Sequence, residues 1–112
     1  MAFDPGLAQR IRDILANRKG VTERKMFGGL AFMLHGNMFV GVLGPTLMVR
    51  VGPNRYREAL GMHHVREMDS TGRPMKGYVF VDEQGISEDE ELEAWIAWST
   101  GFVSTLPRKP RK

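Results

Sequence analysis

The glycine pair in the stretch KMFGGLAFML is the first feature whose residue types suggest chemistry. Gly28 and Gly29 follow Lys25, and a glycine-rich turn beside a lysine can cradle a phosphate group. A phosphate loop, however, places its lysine after the glycines and opens a helix whose amide groups hold the anion. Here the lysine comes first and an apolar run follows. The sequence therefore predicts that the two glycines form a bend at the start of a strand.

Residues that could bind a metal or act as a nucleophile are few. The chain has no cysteine, which excludes disulfides, thiolate zinc sites and cysteine nucleophiles. His63 and His64 are adjacent, so their side chains diverge on any regular element, and no third ligand has suitable spacing. Ser70 and Thr71 lie outside any nucleophile-elbow pattern. The sequence predicts loop histidines, no metal, no cofactor and no enzymatic activity.

The most polar internal stretch is DSTGRPMK, which begins at Asp69 and ends at Lys76. Its aspartate, glycine and proline are typical turn residues, so a plain turn is one interpretation. The other is a recognition loop formed by Asp69, Arg73 and Lys76, in which the two bases hold a carboxylate or another anion. Arg50 interrupts an apolar run and would either join them or pair with an acid of a second subunit. A small-ligand-binding protein or an enzyme with an anion site is the corresponding alternative function.

The net charge of +3 hides an uneven distribution along the chain. Residues 1–81 carry +6, residues 82–107 carry −7 and the last five residues carry +4. We predict a folded domain over residues 1–107 and a basic, disordered tail over residues 108–112. No aromatic side chains alternate with the tail's bases, as base stacking would require. The candidate nucleic-acid contacts in this tail are Arg108, Lys109, Arg111 and Lys112.

The composition is that of a soluble globular chain, with 42% hydrophobic and 26% charged residues. The N-terminal stretch MAFDPGLAQR contains an acid and lacks the apolar core of a signal peptide. No apolar run reaches the ~20 residues that a membrane-spanning helix needs. Together these features predict a cytoplasmic protein without a membrane partner.

The candidate residues must be positioned by regular elements, and the first of these is a helix. Asp4 as N-cap, Pro5 in the first turn and Gly20 as the stop signal predict a helix over about residues 4–18. Its apolar residues recur on one face. A helix with one apolar face needs a sheet or another helix to lie against.

Two further helices are predicted near the middle and the end of the chain. A short one lies between Pro53 and Gly61. A longer one begins at a capping box formed by Ser87 and Glu90, and Pro107 ends its apolar stripe. These helices would cover one face of the predicted sheet.

The segment between Val21 and Val51 has the pattern of β-strands. A tight turn at Gly36-Asn37 predicts a hairpin in which Leu34 pairs with Phe39, and a second turn at Gly44-Pro45 adds a third strand. Two more strands are predicted over about residues 65–68 and 76–81. The predicted fold is a two-layer α+β domain, an antiparallel sheet with helices in the order α-β-β-β-α-β-β-α.

In the predicted register both faces of this sheet are apolar, although the helices can cover only one of them. An uncovered apolar face of this kind indicates an interaction surface. The sequence therefore predicts a non-enzymatic interaction module that forms a homodimer and engages a protein partner. The candidate interaction surface consists of Leu30, Phe32, Leu34, Phe39, Met48 and Arg50.

Four segments together resemble the N-terminal domain of the TfoX/Sxy family: RKMFGGLAFMLHGNMFVGV, LMVRVGP, GRPMKGYVFV and LEAWIAWSTGFVSTLP. The resemblance runs from about Arg10 to Pro107, and its most specific parts are the glycine pair with the preceding Met-Phe, and Pro74-Met75. It implies a secretion-chaperone-like α+β domain of bacterial regulators. The namesake proteins promote natural competence with the cyclic-AMP receptor protein, and they carry a C-terminal helical domain that this chain lacks. A DNA-associated transcription regulator that works with a partner regulator is therefore the alternative prediction.

Overall fold

A computed structural model describes residues 3–26, 28–69 and 75–108. The strands are β1 (Val21–Met26), β2 (Gly29–Leu34), β3 (Asn37–Leu43), β4 (Thr46–Arg50), β5 (Val65–Glu67) and β6 (Tyr78–Val81). The helices are α1 (Pro5–Ile14), α2 (Tyr56–Leu60) and α3 (Asp89–Val103), with a short 3₁₀ helix at Glu83–Gly85. The strands form one antiparallel sheet in the order β1-β2-β3-β4-β6-β5. The predicted α+β class is confirmed, and the observed order is α-β-β-β-β-α-β-β-α.

Strand β1 lies at the start of the segment predicted to be β, but the predicted element order did not include it as a separate strand. It pairs antiparallel with β2, from Val21 opposite Leu34 to Met26 opposite Gly29. Its four central residues, TERK, are exposed and three of them are charged, so the stretch lacks the apolar alternation by which strands are recognised. An edge strand tolerates such residues because one of its sides has no neighbouring strand to exclude water.

The predicted helix starts are close to the observed ones. Asp4 caps α1 as predicted, and its Oδ1 accepts a hydrogen bond from the amide of Gly6 at 2.9 Å. In α3 the capping box is one residue later than predicted, because Glu88 and Glu91 form it. The Glu91 carboxylate accepts from the amide of Glu88 at 3.0 Å. The predicted box of Ser87 and Glu90 is therefore wrong by one position.

The predicted register of the β2–β3 hairpin is wrong. The turn residues are His35 and Gly36, with φ of 49° and 87°, and Leu34 pairs with Asn37 instead of Phe39. Two left-handed residues in succession match a type I′ turn, whose twist suits the two strands. Further along, the register shifts at a bulge: Met38 lies opposite Met33, Val40 lies opposite Phe32, and Phe39 is the extra residue.

A register shift of one residue exchanges the two faces of a strand, and the predicted interaction surface is divided by it. Leu30, Phe32, Leu34 and Phe39 are each at most 5% exposed and pack in the core beneath the helices. Phe32, Leu34 and Phe39 do not form an open face, and the sequence-based grouping is corrected for these three, whereas Leu30 also contributes to the lining of the opposite face. The main core contains Leu7, Ile11, Leu92 and Ile96 from the helices and Leu30, Phe32, Leu34, Phe39, Val40, Val42, Leu47, Val49, Val79 and Val81 from the sheet.

A buried serine of α3 holds the bulge in place. The Ser99 hydroxyl lies 2.7 Å from the carbonyl oxygens of both Phe39 and Arg50 and donates its hydrogen to one of them. Because an extra residue in a strand leaves its backbone groups outside the ladder, the Phe39 carbonyl needs such a partner. This contact also fixes the end of β4 at which Arg50 lies.

Candidate functional site

The face of the sheet that the helices leave uncovered carries an apolar groove of about 440 Å³. Every residue of the described part of the chain that lines it is apolar, and five of the chain's eight methionines are among them. We call this feature the methionine groove. The residues that characterise it are Met26, Met38, Met48, Met68, Met75, Leu43 and Phe80.

Two glycines form part of the groove lining and let neighbouring strands approach closely. A Cβ at Gly29 would lie 2.4 Å from the carbonyl oxygen of Val42, closer than real Cβ contacts come. A Cβ at Gly41 would lie 3.1 Å from the terminal methyl carbon of Met48. The neighbouring Gly28 has a φ of 77° between β1 and β2. The prediction that the glycine pair forms a bend at the start of a strand is confirmed.

The floor of the groove is a small apolar cluster separate from the main core. Met48, Met68 and Phe80 shield one another and are between 4% and 8% exposed. Met38 and Leu43 pack against them and are half-buried. Met75 is 37% exposed at the margin. Flexible thioether side chains therefore surround an apolar floor that α1, α2 and α3 leave uncovered.

Basic side chains flank this apolar surface. Arg24 is exposed and lies opposite Ala31 in the β1–β2 ladder, so it projects on the groove side of the sheet. Arg66 lies opposite Phe80 and stacks over its ring at 4.9 Å. Its guanidinium also donates to the Asp82 carboxylate at 3.0 Å.

Arg50, predicted as part of the interaction surface, lies on the groove side with Met48. It is opposite Tyr78 in the ladder, and its guanidinium carbon is 5.4 Å from the tyrosine ring. Its Nη1 donates to the carbonyl oxygen of Met38 at 3.3 Å. Both residues of the predicted surface that remain outside the main core are therefore part of this face.

The described residues at the two ends of the predicted recognition loop lie beside the groove. The amide of Met75 donates to the carbonyl oxygen of Met68 at 3.0 Å, which closes the loop at its base. Asp69 and Lys76 are exposed next to this base. Gly77, which follows Lys76, accepts from the amide of Val51 at 2.8 Å, so Lys76 lies near the end of β4 that carries Arg50. Arg73 lies outside the described residues.

The other residues considered for chemistry lie apart from the groove. His63 and His64 are exposed in the turn before β5, with ring centres 6.1 Å apart. Within the described ranges, no group of three or more His, Asp or Glu side chains could hold a metal ion. Of the predicted nucleic-acid contacts, Arg108 is exposed. Lys109, Arg111 and Lys112 lie beyond the described part of the chain.

A membrane-spanning helix would need a longer apolar stretch than any α-helix in the described part of the chain provides.

The edge strand that carries Arg24 is fixed to α1 by an ion pair. The Arg12 guanidinium donates to both carboxylate oxygens of Glu23, at 2.7 and 2.8 Å. These hydrogen bonds, more than the charge of Arg12 alone, lower the pKa of Glu23 against a smaller opposing effect of burial. The pair lies on the helix side, so Arg24 is left on the groove side.

The sequence prediction missed most of the groove residues, although a signal for them was present. Eight methionines are many for 112 residues, and methionine is typical of adaptable binding surfaces as well as of cores. Among the groove methionines, the prediction included Met48 alone. The wrong register placed Met38 on the face assigned to the helices.

A family model for the TfoX N-terminal domain matches residues 13–102, a range that contains all six strands and every groove residue. No curated protein and no solved structure matches the chain.

Proposed function

Because the chain belongs to the TfoX N-terminal domain family, we propose that it is a non-enzymatic regulatory module that binds another protein chain in its methionine groove. The family supports a regulatory or interaction module. The observation that carries the finer proposal is the apolar groove itself, on the face of the sheet without helices. Apolar surface of this kind is stabilised when a partner removes it from water.

The lining of the groove favours binding over catalysis. Among the residues that the structure describes, its side chains come from Met, Leu, Val, Ala and Phe, together with two glycines. None of these can act as a nucleophile, a general acid or a general base. Methionine side chains instead adapt to differently shaped apolar partners.

The proposal is tested with one groove variant and one matched control. Met38→Glu places a carboxylate in the groove at a half-buried position from which it can still reach water. Met62→Glu makes the same change at a residue that is 45% exposed and does not line the groove. Both variants and the unaltered protein would be used to capture partners from cells that produce the chain.

We expect a protein that is retained by the unaltered chain and by Met62→Glu to be lost from Met38→Glu. Circular dichroism and thermal unfolding of both variants would show that they remain folded. An identical set of retained proteins for all three chains would contradict the proposal.

A further inference from the structure

We infer that the occupant of the methionine groove is an amphipathic helix of a partner protein, with acidic residues beside its apolar stripe. This inference rests on the proposed function and names the chemistry of the partner. It follows from the state of the sheet backbone, the width of the groove floor and the charges around it.

The strands of the groove floor are interior strands of the sheet. Strands β2, β3, β4 and β6 each have a neighbouring strand on both sides. An extended peptide lying across them would bury its own N–H and C=O groups without partners, which is costly. A helix satisfies these groups internally, so it can place its side chains on the floor without that cost.

The floor has the width of one helix. Its four inner strands are spaced by about 4.8 Å, which gives a span of roughly 14 Å from β2 to β6. An α-helix with its side chains is about 10–12 Å across. The thioether chains of Met26, Met38 and Met75 at the margins can rearrange around the apolar stripe of such a helix.

The charges near the groove favour a partner helix with acidic residues on both sides of its apolar stripe. Arg24, Arg50 and Arg66 lie on the groove side of the sheet, and the exposed Lys76 follows Met75 at the groove margin, whereas nearby acids are Asp82, which is paired with Arg66, and Asp69. Arg24 and Lys76 are exposed and can receive carboxylates from a partner, and the surplus of bases would repel a basic helix.

A second copy of the chain does not fit this description. Two grooves face to face would bring the bases of one copy against those of the other, because a two-fold interface uses the same surface twice. Within the described residues, α1 and α3 bury their apolar stripes in their own core, through Leu7, Ile11, Leu92 and Ile96. A second copy therefore has no free amphipathic helix in the described part of the chain.

The first comparison uses two synthetic peptides with the same apolar stripe, at helical spacing i, i+3, i+4, i+7. One peptide carries glutamates on both flanks of the stripe and the other carries lysines. Affinity for the full chain is measured by fluorescence anisotropy. We expect the acidic peptide to bind about tenfold more tightly or better, since several surface charge pairs add up to such a factor.

Three variants connect this binding to the groove. Met38→Glu should lower the affinity for the acidic peptide by about tenfold or more, while Met62→Glu leaves this affinity unchanged. The double change Arg24→Glu with Lys76→Glu should reduce or reverse the preference for the acidic peptide. A third peptide is the acidic peptide with two central residues replaced by proline, and it tests whether the bound form is a helix. It should bind far more weakly, because proline breaks helices.

Several results would overturn the inference. These are equal or tighter binding of the lysine peptide, equal binding of the proline peptide, and binding that is insensitive to Met38→Glu. A chain dimer in sedimentation that Met38→Glu dissociates would assign the groove to a second copy instead. If no peptide binds at 1 mM while capture from cells still depends on Met38, the helix inference fails and the proposed function stands. If capture is independent of Met38 as well, both fail.

Discussion

At the scale of single residues, two glycines of the groove lining lie where a side chain would meet a neighbouring strand. Gly29 lies where β2 approaches β3, and its absent Cβ leaves room for the carbonyl oxygen of Val42. Gly41 leaves room in the same way beneath Met48. Larger residues at these positions would push the strands apart or fill the groove.

Gly29→Ala is expected to destabilise the fold by about 2 kcal/mol or more, because its Cβ would meet backbone that cannot rotate away. The matched control is Gly101→Ala, on the exposed side of α3, where an added Cβ meets nothing within 4 Å. That change should stabilise the fold by up to about 1 kcal/mol, because alanine is the better helix former. Urea unfolding of the three chains measures both differences, and equal stabilities of the two variants would contradict this account of Gly29.

The glycine pair also shows how much of a residue's structural role the local sequence can predict. The order of lysine, glycines and apolar run was sufficient to exclude a phosphate loop and to predict a bend. Gly28 supplies the left-handed φ, whereas Gly29 supplies the close approach to Val42. This division of roles depends on the neighbouring strand, so the local sequence could not predict it.

At the scale of elements, the β2–β3 hairpin determines which residues reach the groove. Both Gly36-Asn37 and His35-Gly36 are reasonable two-residue turns, and the choice between them changes the face of every following residue. The observed turn gains contacts from a distant segment: the amide of His35 donates to the carbonyl oxygen of Gly20 at 2.8 Å. The bulge at Phe39 is likewise held by Ser99, from a helix much later in the chain. Tertiary contacts of this kind explain why the register was predicted wrongly.

The ion pair between α1 and β1 gives a prediction at this scale. The folded-state pKa of Glu23 is lowered by the hydrogen bonds from Arg12, so the pair stabilises the fold above the ordinary carboxyl pKa of about 4.3. This contribution is lost as the pH falls through the lowered pKa, because the carboxylate is then protonated. Unfolding of Arg12→Gln, Glu23→Gln and the double variant between pH 7 and pH 2 measures the coupling.

We expect a small favourable coupling at pH 7 that disappears at the acid end of this range. The coupling is small because both side chains are more than one-third exposed. A coupling that stays constant with pH would show that the pair does not act through the charge of Glu23.

At the scale of the whole molecule, the protein separates an acid-rich helix from a base-flanked sheet face. The first turn of α3 carries Asp89, Glu90 and Glu91, whereas Arg24 and Arg50 lie on the groove side of the sheet. The presence of apolar residues on both faces of the predicted sheet indicated correctly that one face would be left without a cover of helices. The members of that face could not be predicted, because they depend on an edge strand and a bulge that leave little trace in the local pattern.

Methyl NMR tests most directly whether this domain binds a protein chain through its methionine groove, as we propose. The full chain would be labelled with ¹³C at the methionine methyl groups and titrated with the partner recovered in the capture experiment. We expect the signals of the five groove methionines to shift or broaden, while that of Met62, outside the groove, stays unchanged. A complex that forms without any change in those five signals would contradict the account.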